Sequence, residues 1–190
     1  TKSTEFMAPP SFAFELMRTA VLGLAEKHAC VRPLINPRQS SAITYTGSPL
    51  NAADQDAWSA GPVPGAVLPE CPLTVLDAGQ ESPGHVTSLL GTGFTAFCFT
   101  VDARVPPELA AFAETMRAKG IDLSVVPVAQ QRPPDAASRC AWDSSGRLFS
   151  VYGAAPGSVY LVRPDGHVLG RWKAPDAGKL AAAVEHLLHP

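Results

Sequence analysis

An α/β fold, a central mixed sheet flanked by helices, is what this 190-residue sequence predicts. Three observations carry that expectation. Phe94 to Val101 reads Phe-Thr-Ala-Phe-Cys-Phe-Thr-Val, a near-continuous apolar and β-branched run of the kind buried on both faces of a sheet. Pro106 to Lys119 follows as a helix and Ile121 to Val128 as a strand, and so short a connection implies a parallel, right-handed crossover. Val159 to Val162 and His167 to Trp172 flank Pro164-Asp165-Gly166, a turn whose glycine accepts positive φ, so the three segments form a β-hairpin.

The remaining elements follow in chain order. Thr1 to Met7 reads as expression-vector residue ahead of a linker helix assigned to residues 8–29. Within it, Phe12 to Lys27 carries apolar residues at helical spacing, with Ser11 placed to cap. Residues 30–71 hold Pro33, Pro37, Pro49, Pro62, Pro64 and Pro69, which exclude continuous helix and give an extended, proline-rich arm. One short strand over Ser41 to Thr46 is expected in that arm, and Trp58 is expected to anchor it onto a core. The folded domain then spans residues 72–190, opening with a strand at Leu73 to Leu76 and a helical turn at Val86 to Leu90. Prolines in its first turn and Gly120 at C′ bound the helix from Pro106 to Lys119. Gln130 to Arg147 is read as a loop with a short helix near Asp135 to Trp142 and a turn at Asp143 to Gly146. Asp176 caps a last helix to Leu188. A Pro156-Gly157 turn, strand, Asp-Gly turn, strand and helix make up the second half of a thioredoxin fold, so the expected class is thioredoxin-like.

Composition narrows the function. A net charge of −2 leaves no electrostatic footprint for nucleic acid or anionic lipid. No apolar run approaches the ~18 residues of a membrane span, and no secretion signal opens the chain, which points to a cytoplasmic location. Cys30, Cys71, Cys98 and Cys140 are widely spaced and suit free thiols in a reducing compartment.

Several motifs invite a chemical reading, and each has a plainer one. Gly91-Thr92-Gly93-Phe94-Thr95-Ala96 formally fits a dinucleotide fingerprint, yet it precedes a strand, whereas the fingerprint must open a helix whose amides hold pyrophosphate; it is read as a turn. A thioredoxin dithiol lies where the central strand meets the next helix, and Val101-Asp102-Ala103-Arg104-Val105-Pro106-Pro107 has no cysteine there. Cys98 falls earlier, on the strand, facing the core. Pro156 occupies the place of the thioredoxin cis-proline, with cis and trans left equally open. His186 and His189 share a helical face without a third ligand, so no metal site is expected. Asp143-Ser144-Ser145-Gly146 reads as an Asx turn, and Arg163, Arg171 and Lys173 as a solvated hairpin face. No catalytic, cofactor-binding or metal-binding residue is assigned.

Four segments carry a family resemblance: Ser48-Pro49-Leu50-Asn51-x-x-Asp54, Gly61-Pro62-x-Pro64-Gly65-Ala66, Leu89-Leu90-Gly91-x-Gly93-Phe94-Thr95, and Tyr160-Leu161-Val162-Arg163-Pro164-Asp165-Gly166-His167-Val168. Together they resemble the C-terminal region of flavin-dependent aromatic hydroxylases, the phenol, hydroxyphenylpropionate and polyketide hydroxylase group. The resemblance runs from about Phe12 to the C-terminus. It implies a parent oxidoreductase, a monooxygenase using FAD and NAD(P)H, whose upstream domains bind flavin and substrate. The last domain of such enzymes has a thioredoxin-like fold without redox cysteines and contributes to subunit contacts, so the expected partners are the upstream domains and a second copy. The family's flavin motifs have no counterpart here, so no residue role carries over. Two alternatives stand beside this: a free-standing, redox-inactive binding protein using the groove near Pro156 and Val101, and a single-cysteine thiol oxidoreductase.

Overall fold

The computed structural model describes residues 2–35, 42–133 and 139–188. They fall into two compact units, residues 1–42 and 43–190.

The first unit is helical. It runs α1 (Lys2–Met7), α2 (Phe12–Lys27), a 3₁₀ turn (Ala29–Val31) and α3 (Arg32–Ile35). The span of α2 is the one its apolar spacing predicts. Ser11 does not cap it as expected, because its side chain makes no capping hydrogen bond and only its carbonyl accepts the Glu15 N–H, at 3.1 Å.

The second unit is built on a seven-stranded mixed sheet: β1 (Pro72–Asp77), β2 (Gln80–His85), β3 (Phe94–Thr100), β4 (Leu123–Ala129), β5 (Cys140–Trp142), β6 (Val159–Val162) and β7 (Val168–Trp172). Their order across the sheet is β2-β1-β5-β4-β3-β6-β7. β3 and β4 pair in parallel, joined through α4 (Pro107–Ala118), as the short strand-helix-strand spacing requires. β6 returns antiparallel to β3 and forms the expected hairpin with β7. The last helices are α5 (Arg147–Tyr152) and α6 (Ala177–Leu188). Asp176 caps α6 by accepting the Lys179 N–H at 2.8 Å.

Every residue of β3 is buried, and alternation along it feeds two cores. Phe97 and Phe99 face an aromatic layer with Phe149, Tyr152 and Tyr160, in which Phe99 meets Phe149 edge-on at 5.0 Å. Ala96 and Cys98 face the other layer, against Phe112 and Met116 of α4 and Leu180 and Val184 of α6.

Three local expectations are corrected, and the open choice at Pro156 is decided. The strand read at Ser41 to Thr46 is absent from residues 42–46, where Tyr45 donates its N–H to the Gly65 carbonyl at 3.0 Å and the chain turns at Gly47; Ser41 lies outside the described residues. The helix read near Asp135 to Trp142 gives way to β5 over Cys140–Trp142, because Ala141 is paired on both sides, with Val75 and Val128; residues 135–138 are outside the described set. Pro156 is trans. The predicted loop and turn to Arg147 also leave unannounced a helix, α5, which starts after Gly146 and whose first-turn Phe149 N–H donates to Asp143 at 3.0 Å.

Candidate functional site

Two places in the second unit concentrate unusual residues: the corner between β3 and α4, and the sheet edge at β7.

At the corner, β3 ends on Thr100, whose hydroxyl accepts the Ala103 N–H at 2.9 Å and holds Ala103 at φ 65, left-handed for a non-glycine residue. Arg104, exposed, pairs with the half-buried Asp102 at 3.1 Å. Pro106 and Pro107 then open α4, and neither carries an N–H, so this helix end lacks two of the donors that usually favour a thiolate or anion. Facing it, the Pro156-Gly157 turn is fixed to β3 by Gly157 N–H to the Phe99 carbonyl at 2.8 Å and Phe99 N–H to the Ser158 carbonyl at 2.9 Å. Between these elements lies a cavity of about 210 Å³ lined by Cys98, Pro106, Leu109, Gly157, Val159 and Leu180. Cys98 is the one thiol at this cavity. Burial, and secondarily the charge of Glu108, push its pKa up to about 11, so it stays protonated at neutral pH and is a poor nucleophile. Cys71 and Cys140 are buried with thiols likewise raised by burial, while Cys30 is exposed in the first unit.

At the β7 edge the arm does what an eighth strand would. Gly65 N–H reaches the Val168 carbonyl at 2.7 Å, Val168 N–H the Ala66 carbonyl at 2.9 Å, and Ala52 N–H the Leu169 carbonyl at 2.8 Å, so backbone groups at the start of β7 are occupied by the arm. Arg171 locks this layer. Its guanidinium donates to Asp54 Oδ2 at 2.6 and 3.1 Å and to the carbonyls of Ala60 and Gly61 at 3.1 Å each, and it lies 4.8 Å from the centroid of the Trp58 ring. Burial works against its charge, but the bonds to Asp54 and Tyr160 outweigh that and raise its pKa. Beneath, Tyr160 donates to the Tyr152 carbonyl, and Tyr152 to the Pro69 carbonyl at 3.0 Å. Gly61 has φ 96 and sits where a Cβ would come within 2.1 Å of the Tyr152 carbonyl oxygen, so only glycine fits there.

The hairpin cations therefore need correction. Arg171 and Arg163 are buried, Arg163 being held by Asp165, and only Lys173 is exposed. Trp58 packs edge-on to Tyr160 at 5.5 Å, as the anchor role requires. The sequence reading missed Asp54 and Tyr152. A guanidinium inside the apolar strand Val168-Leu169-Gly170-Arg171-Trp172 was the available signal, since a buried charge demands a partner.

The Gly91–Gly93 turn does not fit a flavin pyrophosphate. Gly91 and Gly93 lead into β3 rather than a helix, and Gly93 is explained by the Asp122 carbonyl, 2.3 Å from where its Cβ would stand. No group of three metal-ligating side chains occurs among the described residues; His186 is exposed and His189 lies outside them. No helix among them is long and apolar enough to cross a membrane.

No protein-family model and no curated protein sequence matches the chain. Solved structures do. AhpC of Mycobacterium tuberculosis is similar with a TM-score of 0.51 and 14% identity, over 67% of this chain and 99% of its own. The fold is thioredoxin-like. Aklavinone-11 hydroxylase, solved with FAD and aklavinone, gives a TM-score of 0.54 and 21% identity over 78% of this chain and 26% of its own. RebC-10x, solved native and bound to K252c, gives 0.52 and 21% over 96% of this chain and 30% of its own. The resemblance to aromatic hydroxylases thus extends to the fold, and the chain spans between a quarter and a third of the length of these two enzymes.

Proposed function

We propose that this chain is a thioredoxin-like module of a longer FAD- and NAD(P)H-dependent aromatic hydroxylase, a cytoplasmic monooxygenase, and that it serves assembly and stability of a homo-oligomer rather than chemistry. The observation that carries the reading is the β3–α4 corner. Prolines stand where the helix would activate a thiol, and Cys98, the one thiol at the cavity, is held protonated by burial. Partial coverage of the similar hydroxylases supports the longer parent, and the sequence segments quoted above support its class. A flavin would be held by the upstream domains and would supply the oxygen-activating chemistry there; this module's residues would hold the fold.

The test is to detect the native polypeptide with an antibody raised against the Val159–Trp172 peptide. A product roughly three times the length of this chain, the ratio of the two coverages in each comparison, with flavin absorbance, is expected. A product of this chain's own size without flavin overturns the reading. Hydroxylation of a phenolic substrate should also survive serine replacement of all four cysteines, and its loss would restore a thiol mechanism.

A further inference from the structure

Within the first unit, helix α2 leaves a broad apolar face unpacked. Phe12, Phe14, Leu16, Met17, Leu22 and Leu24 are all exposed, Phe12 at 78% and Leu16 at 60%, and Ala25 is its one buried residue, covered where Arg32 reaches back to the Ala25 carbonyl. At 3.6 residues per turn, five of those six apolar side chains spread over about 200° of the helix circumference, roughly twice the stripe of an ordinary surface helix. The arc bearing Arg18, Glu15, Glu26 and Thr19 is polar, interrupted by Leu22. A helix of that pattern is built to be covered from more than one side. α6 shows the contrast: a helix of similar type whose Leu180 and Val184 are fully buried in its own unit.

The comparisons distinguish what belongs with α2. AhpC is matched over 99% of its length by only 67% of this chain, so a complete thioredoxin-like protein accounts for about two thirds of it. RebC-10x is matched over 96% of this chain, a span too long to leave α2 out, yet that match uses 30% of the enzyme, leaving 70% of its length outside.

We infer that the broad apolar face of α2 is a docking surface for the remaining folded body of the same polypeptide, not for a second copy of this module. This rests on the proposed membership of a longer enzyme. The occupant it commits to is an apolar surface in cis, contacting Phe12, Leu16, Met17 and Leu24, with the Glu15 and Glu26 arc left in water. Cis attachment gives such a contact a high effective concentration, so it forms without trans affinity.

Thiol labelling tests it. With Cys30→Ser removing the exposed native thiol, Leu16→Cys and Glu15→Cys are each placed in this chain and in the full-length native polypeptide. The expected result is that Leu16→Cys reacts rapidly and independently of concentration in this chain but about tenfold or more slowly in the full-length protein, while Glu15→Cys reacts rapidly in both. Equal reactivity of Leu16→Cys in the two overturns the inference. Protection that already exists in this chain and disappears on dilution also overturns it, by assigning the face to a second copy. A native product no longer than this chain defeats the underlying membership instead, and the antibody experiment reports that separately from any labelling rate.

Discussion

The β3–α4 corner and the β7 edge are made of the same sheet and treat polar chemistry in opposite ways. At the corner, the helix start is proline and the cavity wall is apolar except at its rim. At the edge, a buried guanidinium is given a carboxylate, two carbonyls and an aromatic face. A buried charge with one partner missing costs several kcal/mol, so a fully partnered Arg171 belongs to a surface that must not move. The difference teaches where polar interactions are concentrated in this scaffold: the corner is packed with prolines and apolar side chains, and the edge carries the ion pair and hydrogen bonds that fix the arm.

The strongest way to break that comparison is Arg171→Ala. It strands the Ala60 and Gly61 carbonyls and frees Trp58, and we expect a loss of about 3 kcal/mol in urea unfolding, together with faster proteolysis within residues 54–69. An unchanged midpoint would remove the edge as a structural lock. Tyr160→Phe leaves the buried Tyr152 carbonyl unpaired and should cost about 1–2 kcal/mol by the same measurement, without altering the m-value.

At the corner the expected effects are smaller. Cys98→Ala should cost about 1 kcal/mol, and a chromogenic disulfide at pH 8 should titrate Cys30 rapidly and the three buried thiols only after denaturation. Fast reaction of Cys98 in the native protein would contradict its thiol pKa of about 11 and return chemistry to the corner.

The smallest effect is at the hairpin turn. Burial opposes the Asp165 charge, but bonds from Arg163 and the His167 N–H outweigh it and lower the carboxyl's pKa. A depressed folded pKa means a stabilising contribution present above the unfolded value near 3.9 and lost as pH falls through the folded one. Because the Asp165 side chain is 50% exposed and asparagine keeps an amide oxygen that can accept from Arg163, Asp165→Asn should cost only about 0.5 kcal/mol at neutral pH, and its stability should converge with that of the unsubstituted protein at the acid end of a denaturation series.

What the sequence determined by itself is what short-range pattern encodes. β3, α4, β4, the β6–β7 hairpin and α6 each carry a period, cap or turn residue within a dozen positions, and the missing cysteine at the corner is plain from the order of residues. Tertiary structure alone decided the rest. β2, Gln-Glu-Ser-Pro-Gly-His, has no strand propensity and exists because β1 offers it an antiparallel edge; the three residues of β5 are a strand only because β1 and β4 flank them. Asp54 and Arg171 stand 117 positions apart, and no local periodicity can announce a pair that forms only when the arm folds back over the β7 edge. Propensity acts through neighbours in the chain, whereas satisfying a buried charge or an open strand edge depends on neighbours in space.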